Sequence, residues 1–241
     1  MGQSGSVVNA GIGGVPNLGK ENLFAVQNTA VSVGGTAVET TLATFTVPGG
    51  TLGLNGILEI NSLWSCLSSA NNKTTNVKFG GTTFLSQSVT TGYLIQSKTI
   101  IRNRNSAASQ VAYASSLYAT FGNGANALVT ATVNTAVDQT VLLTGTTTTE
   151  TPLTPLVSLT QTAGTATATY VAHGYIAGQY VLIAGANQAG YNGSMLILTV
   201  PTADTFTFAV DAGTVSPATG VVSSARYTPL TLESVYLEIK A

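Results

Sequence analysis

The chain has 241 residues, of which 44% are hydrophobic and only 7% charged, with a net charge of −1 and a mean hydropathy of +0.33. Ordinary soluble domains carry about 25% charge, so this composition excludes a Lys/Arg stripe for nucleic acid and leaves few groups for acid-base chemistry. A chain this long can bury a core without disulfides or metals, and its single cysteine, Cys66, cannot pair within the chain.

Residues 1–22 are rich in Gly, Asn and Ser and show no sustained periodicity, which predicts an extended N-terminal arm lying on a neighbouring subunit. From Leu23 onward, short Val/Thr/Ile/Tyr/Phe runs alternate with Gly and Asn, the pattern of many short strands in a sandwich or barrel. Thr41–Val47 reads as a strand ending in the turn Pro48-Gly49-Gly50. A long strand over Gly56–Leu67 turns at Asn71-Asn72-Lys73 into Thr75–Phe79, and Gly80-Gly81 reverses the chain into Thr82–Leu85. Cys66, flanked by Trp64 and Leu67, is expected to be a buried thiol. Lys98, Arg102 and Arg104 read as a solvated strand end. Residues 107–121 fit both period 2, through Val111, Tyr113, Leu117 and Phe121, and a helical stripe through Ala107, Val111, Ala114 and Tyr118; their all-β surroundings favour strand.

Near residue 145 the texture changes. Thr146–Pro155 reads as a Thr/Pro linker, and a second punctuated β-region follows to about Arg226. Pro229–Lys240 alternates strictly, in the style of the first region. The expected fold is all-β: an antiparallel jelly-roll sandwich (23–155 plus 228–241) with a small β-sandwich or barrel (156–227) inserted before its last strand. No run of 18 apolar residues occurs, so no membrane insertion is expected, and residues 1–22 lack the basic and apolar regions of a signal peptide. Near-zero charge promotes association, so much of the surface is expected to be covered by other subunits.

Phe45-Thr-Val-Pro-Gly-Gly-Thr-Leu-Gly-Leu-Asn-Gly-Ile-Leu-Glu-Ile60, Ser69-Ala-Asn-Asn-Lys73, Val77-Lys-Phe-Gly-Gly-Thr-Thr83 and Leu232-Glu-Ser-Val-Tyr236 follow one another in an order of turns that resembles the trimeric jelly-roll domains of bacteriophage virion proteins, similar to the tumour-necrosis-factor and C1q type. The resemblance covers most of 22–145 and the final dozen residues and names a scaffold rather than an activity. The insertion resembles a small β-module common in phage tail and other virion proteins, through Thr165-Ala-Thr-Ala-Thr-Tyr-Val-Ala-His-Gly174, Gly178-Gln-Tyr-Val-Leu-Ile183, Gly185-Ala-Asn187, Tyr191-Asn-Gly193 and Asp204-Thr-Phe-Thr-Phe208. Members often carry Leu after the His-Gly pair, where this chain has Tyr175. The resemblance implies a virion location, a homotrimer, and other virion proteins (the major capsid protein or tail components) as partners of the arm. Capsid decoration or a head fibre is favoured, since no coiled-coil or β-helical stalk is present. The alternative is a tail-fibre or receptor-binding adhesin that recognises a host-surface glycan through the insertion.

No cofactor or metal is expected, and no enzyme. Gly14–Lys20 nearly spells a phosphate-binding loop, but Glu21 stands at the magnesium position and Pro16 lies inside it. Met1–Ser6 fits a myristoylation pattern, better read as a Gly/Ser arm. The sequons at Asn72 and Asn192 coincide with turns. His173 is the sole histidine and is given a structural turn position by the resemblance. A glycosidase needs two carboxylates about 5 to 10 Å apart. Glu233 and Glu238 are expected on opposite faces of a strand, and Asp204 and Asp211 are expected to form turns. Tyr170, Tyr175, Tyr180 and Tyr191 crowd the insertion. They read either as core packing or as a lectin-like surface, with Tyr175, Tyr191 and Asn192 as candidate ligand-facing residues. Tyr113, Tyr118 and Tyr236 are the candidates for a trimer interface.

Overall fold

The computed structural model describes residues 22–115 and 128–240. They form the strands β1 (Asn22–Gln27), β2 (Val31–Val33), β3 (Thr40–Val47), β4 (Ile57–Cys66), β5 (Lys73–Phe79), β6 (Thr82–Val89), β7 (Leu94–Asn103), β8 (Gln110–Ser115), β9 (Val129–Ala131) and β10 (Gln139–Thr147). There follow β11 (Thr154–Pro155), β12 (Ser158–Thr162), β13 (Thr165–Thr169), β14 (Tyr180–Ala186), β15 (Gly193–Leu196), β16 (Thr199–Thr202), β17 (Thr205–Ala209), β18 (Gly220–Tyr227) and β19 (Leu230–Lys240). One 3-10 turn, Ala189–Tyr191, is the only helical element among the described residues.

Two antiparallel sheets make the first sandwich. One has the order β1-β19-β4-β7-β8-β9, with β2 also paired to β19; the other has the order β3-β10-β5-β6. The chain passes from sheet to sheet at β3, β4, β5, β7, β10 and β19, as in a jelly roll. Inward residues follow the period of two that strand geometry imposes. In β4, Leu58, Ile60, Trp64 and Cys66 point into a core shared with Phe45, Phe79, Phe84, Val141, Leu143 and Leu237. The strand expectations at 41–47, 56–67, 75–79 and 82–85 are met within a few residues. Lys73 departs from its expected turn. It opens β5 fully buried, where its Nζ donates to the carbonyls of Asn71 (3.1 Å) and Thr90 (2.8 Å). Of the ambiguous 107–121 segment, 110–115 is strand, and 116–121 lies outside the described residues.

Residues 154–227 build two further sheets, β11-β18-β14-β15 and β12-β13-β17-β16, around a separate core that includes Val181, Ile183, Tyr191, Phe206 and Phe208. The segment expected to be a linker is tied down. Thr149 bridges to Tyr227, the Glu150 amide donates to the Arg226 carbonyl (2.6 Å), and the Glu150 carboxylate takes Arg226 Nε (2.7 Å) and the Thr228 hydroxyl. Tyr227 packs so closely on the loop after β2 that a Cβ on Gly34 would lie 2.0 Å from its ring.

The outer faces differ in chemistry. Across β12, β13, β17 and β16 the rows Ser158–Thr169–Thr205–Thr202 and Thr160–Thr167–Thr207–Thr199 are hydroxyl on every strand, with cross-strand bonds of 2.7 to 3.0 Å. The outside of β3-β10-β5-β6 carries Thr44, Thr46, Thr74, Thr140, Ser86 and Ser88. Neutral hydroxyls therefore supply the polarity that charges supply elsewhere.

At the end of the jelly roll away from the insertion, three loops are fastened by buried amides. Asn103 Nδ2 donates to the Gly53 carbonyl (2.6 Å) and to Thr135 Oγ1 (2.9 Å). Gln110 Nε2 donates to Asn103 Oδ1 (2.8 Å), while Gln110 Oε1 accepts the Val133 amide (2.7 Å). A substitution Gln110→Ala strands both Asn103 Oδ1 and the Val133 N–H in the interior. We expect it to cost about 2–4 kcal/mol, read as a lower urea midpoint at unchanged slope.

Candidate functional site

The tyrosines of the insertion pack inward. The turn Ala172-His173-Gly174, with left-handed backbone at Ala172 and Gly174, carries His173 over the core. There His173, Tyr175 and Phe206 meet in tilted and edge-to-face contacts with ring centroids 5.0 to 5.3 Å apart, and Tyr170 lies 5.8 Å from Tyr175. Tyr175 is 5% exposed, with its hydroxyl 3.3 Å from Ser224 Oγ, and burial pushes its phenol above the usual range. Tyr191 is fully buried. The candidate ligand-facing role of these two residues is therefore corrected: burying an aromatic ring removes far more apolar surface from water than an exposed loop position would. Asn192 is exposed as a residue, but its amide clamps the loop, Nδ2 donating to the Ala186 carbonyl (2.7 Å) and Oδ1 accepting the Ala186 amide (3.0 Å). His173 Nδ1 accepts the Tyr175 amide at 2.9 Å, which places the neutral ring's proton on Nε2.

The remaining candidates for chemistry are engaged in structure. Cys66 is buried, donating its thiol to the Gly92 carbonyl (3.3 Å); burial pushes its pKa up against the pull of Lys73. Asp204 accepts the Ala172 amide (2.7 Å) and Asp211 the Gly213 amide (2.8 Å), both turn contacts. Glu233 and Glu238 differ from expectation. A bulge between Leu232 and Ser234 adds one residue to β19, so strict alternation fails and both glutamates reach the outer face. Some 15 Å of strand still separates them, beyond the reach of a glycosidase pair. Among the described residues no three His, Cys, Asp or Glu side chains converge on a point that could hold a metal ion, and no helix is long and apolar enough to cross a membrane.

The surface with the most functional character is the outer face of the seven-stranded sheet. Strand register sets Leu23, Glu238, Glu59 and Ile100 in one row across β1, β19, β4 and β7, and Val26, Tyr236, Asn61 and Lys98 in the next. Leu63 and Leu94 continue it, and Tyr236 is 40% exposed. Tyr113 stands in β8 in register with Ile100; its side chain, and Tyr118 entirely, lie outside the described residues. Glu59 and Glu238 face each other across β4 and β19, a like-charge pair that would destabilise the sheet alone. Lys240 lies 3.3 Å from Glu59 and 4.0 Å from Glu238, and Lys98 lies 2.7 Å from Glu59. Lys98 is thus part of an ionic cluster, a correction to its reading as a solvated strand end. Sequence reading also passed over Glu59. The available signal was an acid at an outward strand position between Leu58 and Ile60, which needs cations from neighbouring strands.

No family model matches the sequence, and no curated protein matches it. Solved structures with similarity include the phage phi92 endosialidase (13% identity over 75% of this chain and 31% of that one, TM-score 0.26) and the infectious bursal disease virus Gx strain (11% identity, 98% and 45%, TM-score 0.27). A third is the CBM2 module of an evolved Dit from Lactobacillus casei BL23 phage J-1 (10% identity, 82% and 69%, TM-score 0.18). The chain spans about a third of the endosialidase and under half of the second structure. No activity, ligand or partner is carried over from them.

Two measurements follow from this geometry. Burial opposes ionisation of Glu59, yet hydrogen bonds from Lys98 and Lys240 hold its pKa below 4.5; the Lys78 and Thr144 hydrogen bonds do the same at Glu39. A carboxylate depressed in the folded state stabilises above its unfolded pKa and loses that contribution as pH falls through the folded value. Urea stability should therefore drop as pH falls below about 4.5, and Glu59→Gln should shrink that drop without abolishing it. Tyr191 Oη is buried with no hydrogen-bond partner. Tyr191→Phe should consequently be neutral or stabilising by up to about 1 kcal/mol in thermal unfolding.

Proposed function

We propose that this chain is a structural protein of a bacteriophage virion, a non-catalytic part that associates with itself, as a homotrimer, through the outer face of its seven-stranded sheet. The observation that carries self-association is the contrast between faces. The insertion's β12-β13-β17-β16 sheet and the β3-β10-β5-β6 sheet both present hydroxyls to solvent. The seven-stranded sheet instead presents exposed Leu23, Val26, Leu63, Leu94 and Tyr236 around a charge cluster. Apolar surface on a folded monomer marks an association site when it is contiguous, and a rim of paired charge fixes register more than it adds affinity. The phage and virion parts of the reading rest on the sequence resemblance of residues 45–83 and 232–236. Within it, capsid decoration or a head-fibre role fits two β-sandwich cores with no coiled-coil or β-helical stalk among the described residues. The aromatic rings that would have supported a glycan-binding adhesin are in the core, so no sugar site is proposed on the insertion.

Sedimentation of the full chain tests self-association. A trimer is expected at micromolar concentration, and a well-behaved monomer overturns the reading. The double substitution Leu63→Glu with Tyr236→Glu should weaken assembly by about 2–4 kcal/mol or more while leaving the melting of the dissociated chain near that of wild type.

A further inference from the structure

The jelly roll has two chemically distinct ends. Thr147 leaves β10 and Leu230 enters β19 at one end, so the insertion projects from there. At the other end Asn22 pairs with Ile239, so β1 begins beside the loops 48–56, 104–109 and 132–138. These loops are bound to one another through backbone: Ser106 N–H to the Leu54 carbonyl (3.1 Å), Thr135 N–H to the Ala107 carbonyl (2.7 Å) and Gly50 N–H to the Thr135 carbonyl (2.9 Å). With the buried Asn103–Gln110–Thr135 network beneath them, the tip is rigid before any partner arrives.

On that tip Leu54 and Val137 are more than half exposed. Arg102 and Arg104 are exposed beside them and, among the described residues, form no ion pair, whereas Lys78, Lys98, Arg226 and Lys240 each lie against a glutamate. The acid on the tip, Asp138, is occupied by the Gly49 amide (2.9 Å). Rigid loops lose little entropy on binding, and arginine with aliphatic anchors is a usual make-up of an interface centre.

We infer that this end, and not the insertion, seats the protein on its particle, and that the surface it meets is an acidic protein face with an apolar recess. The inference rests on the virion reading and assigns the insertion to the outward, distal side. Arg102 and Arg104 would meet carboxylates, and Leu54 and Val137 would enter the recess. Because, among the described residues, the Arg104 guanidinium forms no hydrogen bond or ion pair, its reversal should leave the fold intact.

The test uses the full-length chain added back to virions produced without it, with occupancy read by quantitative gel densitometry of washed particles. Wild type should bind, with affinity falling as salt rises. Arg104→Glu, in the loop beyond β7 and off the face assigned to self-association, should raise the half-saturating concentration about tenfold or more, a loss of about 1.4 kcal/mol or more. Leu54→Ser should do likewise at any salt concentration, and Val221→Ser, on the insertion, should bind as wild type. Thermal melting and sedimentation of each variant should match wild type, which separates docking from folding and assembly. If the arginine reversal binds like wild type, or if Val221→Ser abolishes binding while the tip variants do not, the inference is overturned and the virion reading stands. If wild type binds no particles and is missing from native virions, the virion reading falls with it.

Discussion

The pairing of β19 with β4 is the contact on which the rest of the jelly roll depends. β19 is the last strand in the chain, yet it lies inside the sheet, with β4 on one side and β1 and β2 on the other. Among the described residues neither β1 nor β2 pairs with any strand but β19, so this edge of the sheet depends on residues 230–240 being in place. The insertion stands between β10 and β19, and its ends must therefore meet. Closing a loop of this length costs entropy that grows only slowly with the number of residues. The Glu150 contacts to Arg226 and Thr228, the Thr149–Tyr227 bridge and the close approach of Tyr227 to Gly34 hold the ends together. A separately cored module thus becomes a tolerable interruption of a sheet that cannot form without its final strand.

Low charge acquires a different meaning once strands are placed. Composition alone suggested that much of the surface is hidden by neighbours. Period-two alternation instead sends threonine and serine outward on two of the sheets, where hydroxyls paired across strands keep the faces polar without net charge. Threonine suits this position because its branched Cβ favours strand backbone and its hydroxyl faces water. The Lys78–Glu39 and Arg226–Glu150 pairs lie elsewhere, while the larger Glu59–Lys98–Lys240–Glu238 cluster sits on the most apolar outer face. The association argument consequently moves from the whole surface to one sheet.

Turns and strand identity in the first region were legible because Gly and Asn punctuation coincides with hairpins, as at Gly80-Gly81, and because apolar residues alternate as one buried face requires. Three features were not. Lys73 looked like a turn residue, but two backbone carbonyls make a buried amine tolerable, and carbonyl positions are not written in local sequence. The bulge at 232–234 inverted the facing of Glu233 relative to Glu238, since one extra residue on a strand changes every parity beyond it. Tyr175 and Tyr191 could serve a surface or a core equally well by composition; the closing of one small sheet over another put them inside.

The sequence by itself determined that the described residues form an all-β fold, where most hairpins turn, that a second β-region interrupts the first, and that Cys66 is a buried thiol. Those properties follow from local backbone preference and from the two-residue period of a strand, which need no knowledge of what lies opposite. Only the tertiary structure decided which face is apolar and which hydroxyl, which carboxylate meets which lysine, and that Arg102 and Arg104 have no ion pair among the described residues at the end where β1 begins. These depend on register between strands far apart in the chain, and a register shift of one residue would reverse all of them.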